Sequence, residues 1–232
     1  MARRVVKGGA ARVAVAMLAV LIVPALGGCQ IAAFFVAVSG DRVRAEYELE
    51  DRPTLVMVED PDDALGNPAL RGVLARSIEN HLQDRKLLKD SHVIDQRELR
   101  NVIAELGDDY ARAPIDRIGR LVGAEQVIHV DVRSVRMVRE MGVQEPQAEV
   151  EVKVIDAVGS RRLFPAVESF GADGDTRPGR RLTTSMNVTA ADEPDGGSRG
   201  MILRELAERT GRDVARLFHT WYRDERGERL PG

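Results

Sequence analysis

Cysteine occurs once in the 232 residues, histidine four times, and the aromatic side chains are limited to five Phe, three Tyr and one Trp. A single thiol excludes an internal disulfide, and one thiol among scattered histidines excludes a cysteine-based zinc site. The shortage of aromatics means that the core must be filled by aliphatic side chains. A dominant charge sign is also missing: 34 Lys plus Arg stand against 37 Asp plus Glu, so no electrostatic field points to nucleic acid as a partner. With 44% apolar and 31% charged residues the chain is neither disordered, collagen-like nor a multi-span membrane protein. Its length suits one domain.

Motifs of catalysis are lacking too. Ser77, Ser91, Ser134 and Ser198 lie in no G-x-S-x-G context. Gly171-Ala172-Asp173-Gly174-Asp175 and Gly196-Gly197-Ser198 do not run into the Gly-Lys-Ser/Thr ending of a phosphate loop. Asp60, Asp62 and Asp63 have neither the ligand spacing nor the glycine of an EF-hand, and with Asp108-Asp109 they read as solvated turns. His81, His92, His129 and His219 fall on different predicted elements without an i, i+4 pair, and read as satisfied or exposed side chains. The expectation is a protein that is not an enzyme, with no catalytic residue, no metal and no small-molecule cofactor.

What is present begins at the N-terminus. Arg3, Arg4, Lys7 and Arg12 precede an uncharged apolar run from Val13 to Leu26, followed by small residues. This is the layout of an export signal. Its end, Leu26-Gly27-Gly28-Cys29, resembles the lipobox of bacterial lipoproteins, in which small residues let extended backbone enter a peptidase and the thiol takes a thioether-linked diacylglycerol. Residues 1–28 are thus read as signal peptide, with cleavage at Leu26, Gly27 and Gly28, and Cys29 as the site carrying diacylglycerol and a fatty acyl chain. Several chains anchor firmly, because each buried methylene contributes about 0.8 kcal/mol and one chain alone is marginal. The competing reading is an uncleaved signal anchor, since Ile31 to Val38 is also apolar and prolongs the uncharged stretch past the roughly 20 residues a spanning helix needs. Loss of residues 1–28 removes four positive charges and no negative one, taking the formal charge from −3 to −7.

Residues 29–52 read as the acylated cysteine and a tether, and residues 53–232 as a single domain with flexible loops near 171–200. Pro53 to Glu59 is a short apolar strand, followed by turn chemistry at Asp60-Pro61-Asp62-Asp63. Asn67 and Pro68 open a helix whose stripe is Leu70, Val73, Leu74, Ile78 and Leu82. Ser91 to Asp95 reads as a second strand, and Asp95 with Glu98 as a capping box starting a helix with Leu99, Val102, Ile103 and Leu106. Pro114 starts a third helix, with Ile115, Ile118, Leu121 and Val122 on one side and Gly123 closing it. Ile128, Val130 and Val132 alternate with polar residues, and a phase slip at Ser134 predicts a bulge or strand end. After a ten-residue connection a strand runs from Ala148 to Val154, then a turn and Arg161 to Phe164. Gly171–Arg181 and Ala191–Gly200 read as loops around a strand at Leu182–Thr189, and Met201 to Asp224 as a closing helix with Ile202, Leu206, Val214, Leu217, Phe218 and Trp221 facing the core. Strands wet on one face suit an α/β body of the α+β kind, with a mixed, largely antiparallel sheet, helices mainly on one face and the last helix docked on the sheet.

The order apolar strand, long helix, Val93-Ile94-Asp95-Gln96-Arg97-Glu98-Leu99, helix, Ile118-Gly119-Arg120-Leu121-Val122-Gly123-Ala124-Glu125-Gln126-Val127-Ile128, then Val150 to Asp156 resembles an envelope domain. It is similar to the domain of curli-secretion (CsgG-like) lipoproteins, of lipoprotein activators of penicillin-binding proteins (LpoB-like), and of the TolB N-terminus, over roughly residues 53–165 plus the final helix. The resemblance implies a fold and a life of protein contact in the cell envelope. It differs at Asp95–Leu99, which carries one extra residue, and in lacking barrel-forming hairpins: only Leu182, Thr184, Met186 and Val188 approach the required alternation.

The expected function is that of a membrane-anchored, non-enzymatic lipoprotein binding another envelope protein, as an assembly, activation or secretion accessory. A self-assembling secretion channel of the curli type is the alternative. Gln30, non-acidic after the cysteine, favours the outer membrane facing the periplasm. Arg177, Arg180 and Arg181 form a small basic patch and Tyr222 is the more exposed of the C-terminal aromatics, which makes these four the candidate partner surface.

Overall fold

β-branched residues in alternation and capped amphipathic stretches build the elements in sequence order. The computed structural model describes residues 41–140, 143–166, 178–188 and 199–223, with side chains 138–144 and that of Asp41 outside the description. The elements are β1 (Asp41–Val43), β2 (Thr54–Glu59), α1 (Pro68–Asp84), α2 (Gln96–Leu106), α3 (Ile115–Leu121), β3 (Gln126–Glu140), β4 (Val143–Asp156), β5 (Arg161–Phe164), β6 (Arg180–Ser185), α4 (Arg199–Ala215) and β7 (Trp221–Arg223). Leu26, Gly27, Gly28, Cys29 and Arg177 lie outside the described residues, as do most of the two predicted loops. Among the described residues no helix is long and apolar enough to cross a membrane.

The chain divides into two units, one from Arg44 to Thr220 and a small one whose described parts are residues 41–43 and 221–223. In the small unit β1 pairs antiparallel with β7, Val43 opposite Trp221, and the Arg223 guanidinium lies 5.5 Å from the Trp221 ring centroid.

The larger unit is the α+β body expected from the sequence. Its five-stranded sheet runs β2-β3-β4, with β5 and β6 side by side in sequence along the far edge of β4. β2 and β3 are parallel; all other pairings are antiparallel. Asn67 caps α1 by accepting from the Ala69 N–H at 2.9 Å, with Pro68 in the first turn where no donor is needed. Asp95 caps α2 the same way through the Arg97 N–H at 2.7 Å. α3 ends on a Schellman motif: Gly123 at φ +77° donates to the Arg120 carbonyl, and Ala124 to the Gly119 carbonyl at 2.9 Å.

Packing divides by sheet face. Val56, Ile128, Val130, Val152 and Val154 meet Leu74, Ile78 and Leu82 of α1 and Val214 of α4. On the other face Leu55, Met57 and Val127 are covered by Leu99 and Val102 of α2 and Ile118 of α3. The sheet is therefore covered on both faces beside β2, and the expected wet face survives only beyond that cover. α4 docks as predicted, held by Ile202 and Leu206 against Ala148 and Met186. Asp213, almost wholly buried, accepts from Thr184 on β6 at 2.9 Å and from Arg216 at 3.0 Å.

Several local expectations are corrected. Ser91 to Asp95 is no strand: residues 90–92 form a 3-10 turn and only Val93 bridges Thr54. The ten-residue connection is really strand, because β3 and β4 make one long hairpin of 15- and 14-residue arms. Arg180 and Arg181 sit in β6 and not in a loop. The last helix stops at Ala215, and Trp221 lies in β7, half-buried, in place of the core stripe. Leu121, expected on the Ile118 side, is 49% exposed at the last turn of α3. The domain starts before residue 53. Within the presumed tether, Glu46 and Tyr47 donate to the Leu217 carbonyl at 2.8 and 3.1 Å, and the Tyr47 ring packs on Phe164 and Phe218. Residues 44–52 thus belong to the body, because they carry the apolar Tyr47 and Leu49 that complete its core.

Candidate functional site

Past the shelter of α2 and α3, the sheet face that carries Leu55, Met57 and Val127 continues into Glu59, His129, Asp131 and Glu151. Strand alternation dictates this: side chains at two-residue spacing share a face, and the parallel register sets Glu59 beside Asp131. His129 is buried, and its Nε2 lies 2.9 Å from a Glu59 oxygen. The Tyr110 hydroxyl reaches the other Glu59 oxygen at 3.5 Å, the outer limit of a hydrogen bond. The bond to His129 holds the Glu59 carboxyl below its ordinary value against the opposing effect of burial. Burial, and then the neighbouring Glu59 charge, push the Tyr110 phenol up.

A ladder of opposite charges crosses the rest of the face. Arg133 joins Asp131 at 3.1 Å to Glu151 at 3.0 Å, and Arg181 joins Glu151 at 3.4 Å to Glu149 at 3.0 Å. The bulge supplies the geometry. The β3–β4 register shifts between Val132 and Ser134, which inserts Arg133 into the polar ladder and returns Val135 opposite Ala148 on the apolar side. Burial alone would raise the Glu151 carboxyl; donors from Arg133, Gly179 and Arg181 outweigh it and hold Glu151 low. Asp131 is the reverse case, raised by burial despite Arg133.

Two atoms of this face are buried and have no hydrogen-bond partner among the described residues: His129 Nδ1 and Asp131 Oδ1. Such groups are rare in folded proteins. Beyond the Asp131 pairing β2 has ended, so from Val132 onward β3 has β4 as its neighbour and no described strand on its other edge. The arrangement offers fixed donors and acceptors beside an open strand edge. It does not assemble a nucleophile: His129 bonds a carboxylate and, among the described residues, no hydroxyl. Among the described residues no group of three or more His, Cys, Asp or Glu is placed to hold a metal ion.

The predicted partner residues fall in different units, and Arg177 lies outside the described residues. Arg180 is bidentate to Glu46 at 2.6 and 2.7 Å, and Arg181 belongs to the sheet ladder, so neither carries loose positive charge. Tyr222 is exposed as expected but lies in β7 of the small unit. Sequence reasoning missed Glu59, Asp131, Arg133 and Glu151 as a group. The signal was the alternation of His129, Asp131 and Arg133, which identified a polar face without showing that it is half-buried and bonded across strands. The other histidines are dispersed, His92 pairing with Asp51 at 2.7 Å.

No family model matches the chain, and no curated protein matches it. Among solved structures it is similar to lipoprotein GNA1162 from Neisseria meningitidis, with TM-score 0.40 and 11% identity over 71% of this chain and 98% of that one. It is similar to the hypothetical protein CT253 from Chlamydia trachomatis, with TM-score 0.40 and 13% identity over 72% and 98% of the two chains. It is also similar to a PelC dodecamer from Paraburkholderia phytofirmans, with TM-score 0.36 and 12% identity over 78% and 98%. Likenesses this distant bear on neither the activity nor the partner of this chain.

Proposed function

We propose that the chain is a lipid-anchored protein of the bacterial cell envelope, held at a membrane by diacylglycerol and a fatty acyl chain on Cys29, and that it works without catalysis by contact with another envelope protein. The observation that carries the anchor is Leu26-Gly27-Gly28-Cys29 standing behind a basic start and an uncharged apolar run. Gln30 supports the outer membrane as its place, and the motif likeness to CsgG-like, LpoB-like and TolB N-terminal domains supports protein contact as its mode of action. The contact surface is the polar face of β2, β3 and β4. Its charges are fixed in place before any partner arrives, which favours specificity over raw affinity.

Two measurements test the reading. Intact-mass analysis of the membrane fraction should show loss of residues 1–28 and gain of lipid mass in the native chain, and neither in Cys29→Ser. An unprocessed native chain of unchanged mass would leave only a signal anchor. A photocrosslinker at Lys153, on the strand beside His129, should then yield one defined adduct in cells, while one at exposed Arg97 on α2 should not. Equal adducts from both would end the sheet-face assignment.

A further inference from the structure

Most arginines of the larger unit that touch the sheet are neutralised. The surface of α1 and α4, on the opposite side from the polar face, is different. The two helices cross closely because Gly211 has no side chain: a Cβ there would lie 2.5 Å from the Ser77 Cβ, and Ser77 Oγ donates to the Glu208 carbonyl at 2.6 Å. Beside this crossing runs an open groove of about 420 Å³, whose charged lining is Arg76, Arg204 and Arg212 with Asp84 and Glu208. Arg76 and Arg212 form no ion pair or hydrogen bond among the described residues, and neither does Arg209 at the groove's continuation. Arg204 reaches only Glu208, at 4.0 Å with both side chains mostly exposed, a contact of little strength.

We propose that the groove between α1 and α4 binds the phosphate groups of anionic lipids at the membrane surface, with Arg76, Arg204 and Arg212 as its donors. Guanidinium forks match phosphate oxygens and remain charged at every physiological pH. Their crowding is felt by their neighbours. Burial first, then Arg212, Arg209 and Arg85, bring Arg216 down to about 10. His81, which shares the groove lining, is lowered by burial and then by Arg212, with Asp84 opposing. Asp84 and Glu208 offset part of this mutual repulsion, and an anion from outside would relieve the rest even though the processed chain carries a formal charge of −7. Lipid phosphate is favoured over free phosphate because an acyl anchor holds the groove within reach of a dense anionic surface, which raises effective concentration. In this choice of source the inference rests on the anchor proposed above.

The test uses the native full chain purified in neutral detergent, its acylation read by intact mass. Arginine Nε–H resonances are followed while the micelles are doped with phosphatidylglycerol, with phosphatidylcholine, or supplied with inorganic phosphate. Saturable shifts of Arg76, Arg204 and Arg212 are expected with phosphatidylglycerol, about a hundredfold tighter than with phosphatidylcholine, the scale of three guanidiniums on an anionic surface. The exposed triple variant Arg76→Gln, Arg204→Gln, Arg212→Gln should lose this binding while keeping its urea midpoint at pH 4.5, where the Glu79 carboxyl that Arg76 steadies is protonated. The charge-matched variant Arg97→Gln, Arg100→Gln, Arg117→Gln should keep the binding. Absence of saturable shifts in the acylated chain, or equal loss in both variants, overturns the groove. Inorganic phosphate binding as tightly as phosphatidylglycerol overturns the lipid source. An unacylated native mass defeats the anchor alone, since the groove is read independently.

Discussion

Glu79 shows how one buried residue governs the response of the body to pH. It follows Ile78 on α1, is 9% exposed, and accepts from the Gln96 side-chain amide at 2.6 Å. The same nitrogen donates to the Val56 carbonyl on the outer edge of β2 at 2.8 Å, so the pair closes part of that edge. Burial pushes the Glu79 carboxyl up to about 7 from 4.5, with Gln96 and Arg76 opposing. Below the unfolded value both states are protonated. As pH rises from there through the folded value the unfolded chain releases its proton first, so stability falls, and the whole penalty is present above about 7. It is on the order of a few kcal/mol, at about 1.4 kcal/mol for each unit. Glu79→Gln should therefore raise the urea midpoint clearly at pH 8 and hardly at pH 4.5; an equal effect at both would refute the assignment. The apolar stripe Leu70, Val73, Leu74, Ile78 and Leu82 was legible in the sequence, and all five are buried. Glu79 was not, because nothing local reveals that Gln96, 17 positions on, covers it.

At the scale of elements, the glycines of the motif that resembles envelope domains have structural work. Gly119 faces Val127 and Ala157 so closely that a Cβ would lie 2.7 and 2.9 Å from them, and Gly123 takes the left-handed turn that lets the chain enter β3. The tightest helix contact is at Gly211, where Gly211→Ala is expected to cost about 1–3 kcal/mol by overpacking although alanine favours helix. Chemical unfolding checks the sign: a stabilised Gly211→Ala would mean that α1 and α4 are not in contact as described. The β3–β4 hairpin is the element the sequence hid. Among the described residues its outer half has no helix on the polar side, and the bulge at Arg133 breaks the period by which a strand is recognised. Pro146 lies within β4, opposite Met137.

At the scale of the whole molecule, the boundary of the body is decided by its core. Gln126, fully buried, donates to the Glu50 carbonyl and to Thr54 Oγ1, both at 2.7 Å, which ties residues 44–52 to the sheet. Tyr47 forms an aromatic cluster with Phe164 and Phe218, at centroid distances of 5.6 and 6.4 Å. A chain beginning at residue 53 should therefore unfold at lower urea than one beginning at residue 44, by about 2–4 kcal/mol for the lost ring packing and the orphaned buried amide. Identical midpoints would restore the tether reading.

Sequence alone determined the features that depend on a residue and its near neighbours. These are the caps at Asn67 and Asp95, the Gly123 turn, the aliphatic stripes and the phase slip at Ser134, and through them the α+β class with a docked C-terminal helix. Tertiary structure decided which polar residues meet. Glu59 and His129 are 70 positions apart and share a bond only because parallel pairing aligns two strands, while the guanidiniums of α1 and α4 gather only because Gly211 lets the helices close. Spacing along a chain sets local geometry, but long-range proximity follows from how buried surfaces fit, and no local pattern encodes that fit.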